Sequence, residues 1–106
     1  MFHKLLSTLL HVSPIYKYKI LGNSMLPTLK DGDVVFINRL TYLFRKPEVG
    51  EIIGLNDPRD NKVLIKRILK ITENKYFVTG DNKQSSTDSR QFGMIEKSAI
   101  IGRVLI

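Results

Sequence analysis

The chain has 106 residues, with 17 Lys+Arg against 10 Asp+Glu, a formal net charge of +7 and no cysteine. One compact domain is expected at this length, and a balance of 42% hydrophobic to 25% charged residues argues against global disorder. The absence of cysteine removes disulfides, thiolate metal sites, CxxC redox chemistry and cysteine nucleophiles together.

A membrane-spanning helix needs ~20 consecutive, mostly apolar residues. The best run here, residues 5–12 (LLSTLLHV), is interrupted by Ser7, Thr8 and His11. Residues 2–11 read instead as a short amphipathic helix with Phe2, Leu5, Leu6 and Leu9 on one side. The helix lies in an N-terminal segment, residues 1–13, ahead of a domain over residues 14–106. Its apolar stripe either packs on that domain or lies on a membrane surface.

Residues 16–20 (YKYKI) alternate with the period of a half-buried strand. Residues 30–33 (KDGD) signal a turn, and residues 34–37 (VVFI) read as a buried strand. Residues 40–49 are mixed and basic and end in a loop marked by Pro47 and Gly50. A short strand follows over residues 51–55, then a turn-rich stretch, NDPRDN, over residues 56–61. Residues 62–71 form the longest apolar-rich strand, and a turn over residues 72–75 leads into a strand over residues 76–79. Residues 80–90 are polar and read as a loop, and residues 99–106 close the chain with a β-branched run. Short strands joined by Gly, Asp and Pro turns predict a mainly β fold: a single small antiparallel domain, coiled or barrel-like.

Most conventional sites are excluded by residue type and spacing. His3 and His11 are eight positions apart, off the i, i+4 spacing that aims two ligands at one metal. The carboxylates Asp31, Asp33, Asp57, Asp60, Asp81 and Asp88 fall in turns, where Asp commonly bonds the local backbone. There is no phosphate-binding glycine loop, so neither a metal nor a cofactor is expected.

A serine and a lysine remain. Ser24 follows a strand within GNSMLPT, where Gly22 and Pro27 set an irregular backbone that can expose a side-chain oxygen. Lys66 and Arg67 are consecutive in VLIKRIL. Successive strand residues face opposite sides, so one of the two must point toward the core or into a cleft. Arginine stays charged, whereas a desolvated lysine can lose its proton; lowering a lysine from ~10.4 to ~8 costs about 3 kcal/mol. A neutral amine is useful where a serine hydroxyl must give up its proton.

These segments together resemble the type I signal peptidase family, which uses a Ser-Lys dyad. Residues 22–29 (GNSMLPTL) resemble its nucleophile box, Gly32-Asp33-Val34-Val35 the strand entry after it, and Lys66-Arg67-Ile68 the box with the general base. Residues 80–90 (GDNKQSSTDSR) match the closing box at every fixed position. The resemblance implies a Ser-Lys peptidase domain over residues 14–106. In it Ser24 is the nucleophile, and Lys66 the base. The Ser24 N–H is an oxyanion donor, and Ser86 orients the lysine. Gly22 stands where some members carry a second hydroxyl donor. Asp88 and Arg90 match an ion pair bracing the loop, with Asp81 in support, and Met25 lies near the substrate pocket. The implied activity is a serine endopeptidase that cuts leader or signal segments after small residues through an acyl-enzyme. Many members insert a second β domain between the lysine box and the closing box; here only residues 67–79 intervene. Among short relatives in the wider family are maturation proteases that trim the leader of a nickel superoxide dismutase.

The partner expected is thus a peptide with a leader or signal segment, and the protein is expected to be soluble (cytoplasmic) or peripherally associated with a membrane. Two other readings compete. The self-cleaving Ser-Lys class of SOS-response repressors shares the G-x-S-M and lysine signatures, but it cuts its own chain before the core, often at Ala-Gly. Ala99 is the single alanine here and precedes Ile100. A basic, non-enzymatic module for nucleic acid or anionic lipid is the other. The basic residues are spread along the chain rather than gathered in a stripe, so no nucleic acid is expected.

Overall fold

A computed structural model describes residues 14–106; the expected helix over residues 2–11, with His3 and His11, lies outside the described residues. The described residues form seven strands: β1 (Ile15–Lys19), β2 (Val34–Asn38), β3 (Ile52–Asn56), β4 (Val63–Thr72), β5 (Lys75–Thr79), β6 (Ile95–Glu96) and β7 (Ile100–Leu105). They form one sheet in the order β1-β2-β7-β3-β4-β5-β6, every pair antiparallel. The mainly β, antiparallel, coiled architecture read from the sequence is the one observed.

Two one-turn helices interrupt stretches expected to be loops. α1 (Thr41–Phe44) buries Tyr42, and α2 (Ser89–Phe92) is started by Asp88 and Gln91 in a reciprocal capping box. A 3₁₀ turn occupies Lys83–Ser85. β2, expected to be buried throughout, alternates: Val35 and Ile37 are buried, and Val34 and Phe36 are exposed. It runs between β1 and β7 with one face on the core. β6, only two residues long, leaves no periodicity to read in the sequence.

Apolar side chains gather in two clusters. Ile20, Met25, Leu29, Val35, Ile37, Ile52, Ile65 and Val104 form the first, and Tyr42, Ile53, Leu55, Ile68, Tyr76, Val78 and Ile95 the second. β3 supplies both, Ile52 to one and Ile53 with Leu55 to the other, which is why its run is apolar without alternation.

One side-chain bond records how far the sheet curls. The Tyr18 hydroxyl on edge strand β1 donates to the Val63 carbonyl on β4 at 3.2 Å. Three strands separate β1 from β4 in the sheet order, so a flat sheet would hold them about 19 Å apart at the usual interstrand spacing. The curl closes that distance and carries the segment leaving β1 onto β4.

Candidate active site

The segment between β1 and β2 is irregular but well anchored. The Ile20 N–H donates to the Asp33 carbonyl at 2.7 Å, and the Gly32 N–H returns to the Ile20 carbonyl at 2.8 Å. Gly22 has φ +87°, a left-handed conformation that side chains other than glycine rarely adopt, and its N–H donates to Asp31 Oδ1 at 2.7 Å. Its one polar hydrogen is therefore already engaged. Met25, 1% exposed, and Leu29 sink into the first cluster and pin the turn from below. Ser24 sits half-buried between them and the surface. Among the described residues, neither its hydroxyl nor its N–H makes a hydrogen bond, whereas its carbonyl accepts from the Asn82 N–H at 2.8 Å.

Lys66 and Arg67 divide as strand geometry requires. Lys66 is 3% exposed, and burial pushes its amine below the ordinary lysine range despite the attraction of Asp88. Its Nζ donates to Ser86 Oγ at 3.0 Å, and Ser86 Oγ donates to Asp88 Oδ2 at 2.7 Å. Asp88 is fully buried. Burial alone would raise its carboxyl, but the Arg90 guanidinium, the Gly80 N–H and the Ser86 hydroxyl together hold it well below the usual carboxylate range. Those bonds are short and direct: Gly80 N–H to Oδ2 at 2.9 Å and Arg90 Nε to Oδ1 at 2.9 Å.

Arg67 turns the other way. Its Nε and Nη2 form a fork on Asp81 at 2.9 and 2.8 Å, and its Nη1 donates to the Gly50 carbonyl at 2.7 Å. Asp81 also accepts from the Thr28 hydroxyl, tying β4 and the 80–90 segment to the segment that carries Ser24. The Arg67 pairing lowers the Asp81 carboxyl below its usual range.

Ser24, Met25 and Lys66 line one cavity with Tyr18, Ile20, Leu21, Leu64 and Ile65. Its volume is about 50 Å³, a third of the about 150 Å³ that admits a benzene ring in an engineered apolar core. Its lining is mixed, with Ser24, Lys66 and Tyr18 among apolar side chains. Among the described residues no group of His, Asp or Glu is arranged to hold a metal ion, and no helix is long and apolar enough to cross a membrane.

A family model described as signal peptidase, peptidase S26, matches residues 1–71 and 69–106. The chain belongs to the signal peptidase, peptidase S26, family. It is similar to the mitochondrial ATP-independent inner membrane protease subunit 1a of Arabidopsis thaliana, at 33% identity over 92% of this chain and 74% of the relative. The Bacillus subtilis protein Signal peptidase I V is 26% identical over 80% of each chain. The human mitochondrial inner membrane protease subunit 1 is 33% identical over 78% of this chain and 63% of its own length. This member of the signal peptidase family is a peptidase, and its substrates are proteins.

In this peptidase the structure gathers Ser24, Met25, Lys66, Ser86, Asp88 and Arg90 into one neighbourhood, with Asp81 on its flank. Gly80 and Asn82, fixed positions of the closing box, have roles that the sequence alone did not assign. A Cβ on Gly80 would meet Ser86 Oγ at 2.3 Å and the Ser24 carbonyl at 2.5 Å, so a glycine there permits the two segments to close on each other. Its place at the end of a strand before a polar run was the available signal. Asn82 bonds the Ser24 segment twice, through its N–H to the Ser24 carbonyl and through Nδ2 to the Asn23 carbonyl at 3.1 Å. Its fixed place in the closing box was the available signal, although no local pattern shows that it reaches Asn23.

Proposed function

We propose that the peptidase activity runs on a Ser24–Lys66 dyad and that the enzyme cuts leader or signal segments after a small residue. The observation that carries this reading is a buried, charge-averse lysine on the wall of the cavity that Ser24 also lines, held there by Ser86. A lysine in that setting favours its neutral form, whose lone pair can accept a proton. Since the Lys66 amine donates one hydrogen to Ser86, the lone pair is left for the Ser24 side. Ser24 and Lys66 line the same cavity without a hydrogen bond between them, and catalytic hydrogen bonds commonly tighten once substrate is bound.

The chemistry then follows. Lys66 takes the Ser24 proton as Oγ bonds to the scissile carbonyl carbon, and the negative oxygen of the tetrahedral intermediate faces the free Ser24 N–H. Collapse breaks the C–N bond, and the Lys66 ammonium protonates the departing amine. Water, deprotonated in turn by Lys66, attacks the acyl ester, the ester C–O bond breaks, and the Lys66 ammonium returns its proton to Ser24 Oγ. Gly22 contributes the backbone bend before the nucleophile rather than a second donor, its N–H being held by Asp31. Asp88 with Arg90 keeps Ser86 in place, and Asp81 with Arg67 braces the same segment. A cavity of about 50 Å³ beside Ser24 supports a small side chain before the cut.

The test is incubation of the purified chain with leader peptides carrying Ala-x-Ala before the expected cut, with products identified by mass spectrometry. A single cleavage after the second alanine is expected, lost in Ser24→Ala and in Lys66→Ala. Cleavage at wild-type rate by Lys66→Ala overturns the dyad.

A further inference from the structure

Asn82 lies outside the dyad and outside the Lys66–Ser86–Asp88 relay, yet it holds two consecutive carbonyls of the nucleophile segment. Its side-chain Nδ2 donates to the Asn23 carbonyl at 3.1 Å, and its backbone N–H donates to the Ser24 carbonyl at 2.8 Å. Asparagine just ahead of a helical turn normally uses its side chain to cap that turn. Here Asn82 precedes the 3₁₀ turn at Lys83–Ser85 without a side-chain cap bond, and its amide crosses to Asn23 instead.

What that bond fixes is a direction. Cis geometry is confined, among the described residues, to the Leu26–Pro27 peptide, so the Asn23–Ser24 peptide is trans. In a trans peptide the C=O and the following N–H lie in one plane and point oppositely. Holding the Asn23 carbonyl toward Asn82 therefore aims the Ser24 N–H away from it. The Leu26 N–H reinforces the hold by donating to the same carbonyl at 3.2 Å. The Ser24 N–H so aimed has no acceptor among the described residues. Donation into a carbonyl also polarises its amide and strengthens the N–H at the other end. We propose that Asn82 is a positioning residue for the oxyanion contact, orienting the Ser24 N–H toward the reacting carbonyl through its grip on the Asn23 carbonyl. This rests on Ser24 being the nucleophile.

The inference makes a demand that a merely structural role does not. An oxyanion donor acts on the transition state and little on the bound substrate, and losing one outright costs ~10²–10³-fold in kcat. Disturbing its aim should cost less, about 10–100-fold. Asn82→Asp keeps the backbone bond to Ser24 and nearly the same shape but sets an acceptor oxygen against the Asn23 carbonyl. Asn82→Ser shortens the side chain so that it no longer reaches. Both are assayed as the full chain on a leader peptide, beside wild type and Ser24→Ala, with thermal melting to verify folding. The expected result is a kcat lowered by about 10–100-fold with KM within about twofold. A peptide boronate, which forms a tetrahedral adduct on a serine, should weaken by the same factor. Either folded variant showing wild-type kcat, or a loss carried by KM with boronate affinity unchanged, overturns the assignment of Asn82 alone. Wild-type cleavage by Ser24→Ala overturns the nucleophile reading and this inference with it.

Discussion

Lys66 and Arg67 are neighbours on β4, each answered by an aspartate of residues 80–90, and their charges are handled in opposite ways. Arg67 meets Asp81 directly in a two-point fork at 2.9 and 2.8 Å, at the edge of solvent. Lys66 reaches Asp88 only through the Ser86 hydroxyl, in two steps of 3.0 and 2.7 Å, with its chain buried. A direct contact would stabilise an ammonium; an interposed hydroxyl gives the amine a partner while the carboxylate spends itself on Arg90, Gly80 and Ser86. One side chain's width thus separates a structural ion pair from a lysine whose proton is loosely held.

The contrast can be broken most severely at the lysine itself. Lys66→Met should lower peptide cleavage by about 10²–10⁴-fold, the usual share of a general base, while making the protein more stable in neutral buffer. The sign follows from linkage: the folded-state pKa of Lys66 lies below its unfolded value of ~10.4, so the cost of burying the ammonium is complete below the folded pKa. Stability then rises with pH between the two values, as the native state sheds the proton first. The advantage of Lys66→Met, read by urea denaturation, should accordingly shrink toward alkaline pH. A variant less stable than wild type at neutral pH would contradict it.

A smaller effect is expected at the relay. Ser86→Gly removes the hydroxyl and leaves Lys66 facing the Asp88 carboxylate. The wild-type rate should climb with pH as Lys66 deprotonates; in the variant that climb should move to higher pH. A shift of one unit leaves about a tenth of the neutral amine, and of the rate, at a given pH on the rising limb. An unmoved limb would show that burial alone sets the lysine.

The smallest effect is expected on the other arm. Arg67→Met takes the fork from Asp81, which keeps its bond from Thr28. Partly exposed pairs of this kind are worth up to about 1 kcal/mol. The urea midpoint should fall modestly and the pH–rate limb should stay where it is. A limb displaced as far as in Ser86→Gly would mean the two arms act as one.

Much of this was legible residue by residue. Alternation in β1, and apolar or β-branched runs bounded by turn residues in β2 to β5 and β7, placed these strands to within a residue, and the two-residue period required Lys66 and Arg67 to part company. The turn reading of the aspartates holds for Asp33, Asp57 and Asp60, which bond the N–H groups of Lys30, Arg59 and Lys62. It fails for Asp31 and Asp81, whose partners Gly22, Arg67 and Thr28 are far along the chain. α1 and α2 were passed over because four residues are too few to show a helical repeat, although the Asp88-x-x-Gln91 capping pair was there to be read.

By itself the order of residues determined which side chains could do chemistry and which face of its strand each would occupy, because those follow from local periodicity and functional-group type. It also determined where the backbone had to bend, through Gly22, Pro27 and the Asp-Gly turn at residues 31–32. Only the tertiary structure decided that the segment after β1 would lie against β4, because sheet curl is a sum of small twists over five strands and no local pattern encodes it. The same closure buried Lys66, set Ser86 between it and Asp88, and brought Asn82 to the Asn23 carbonyl.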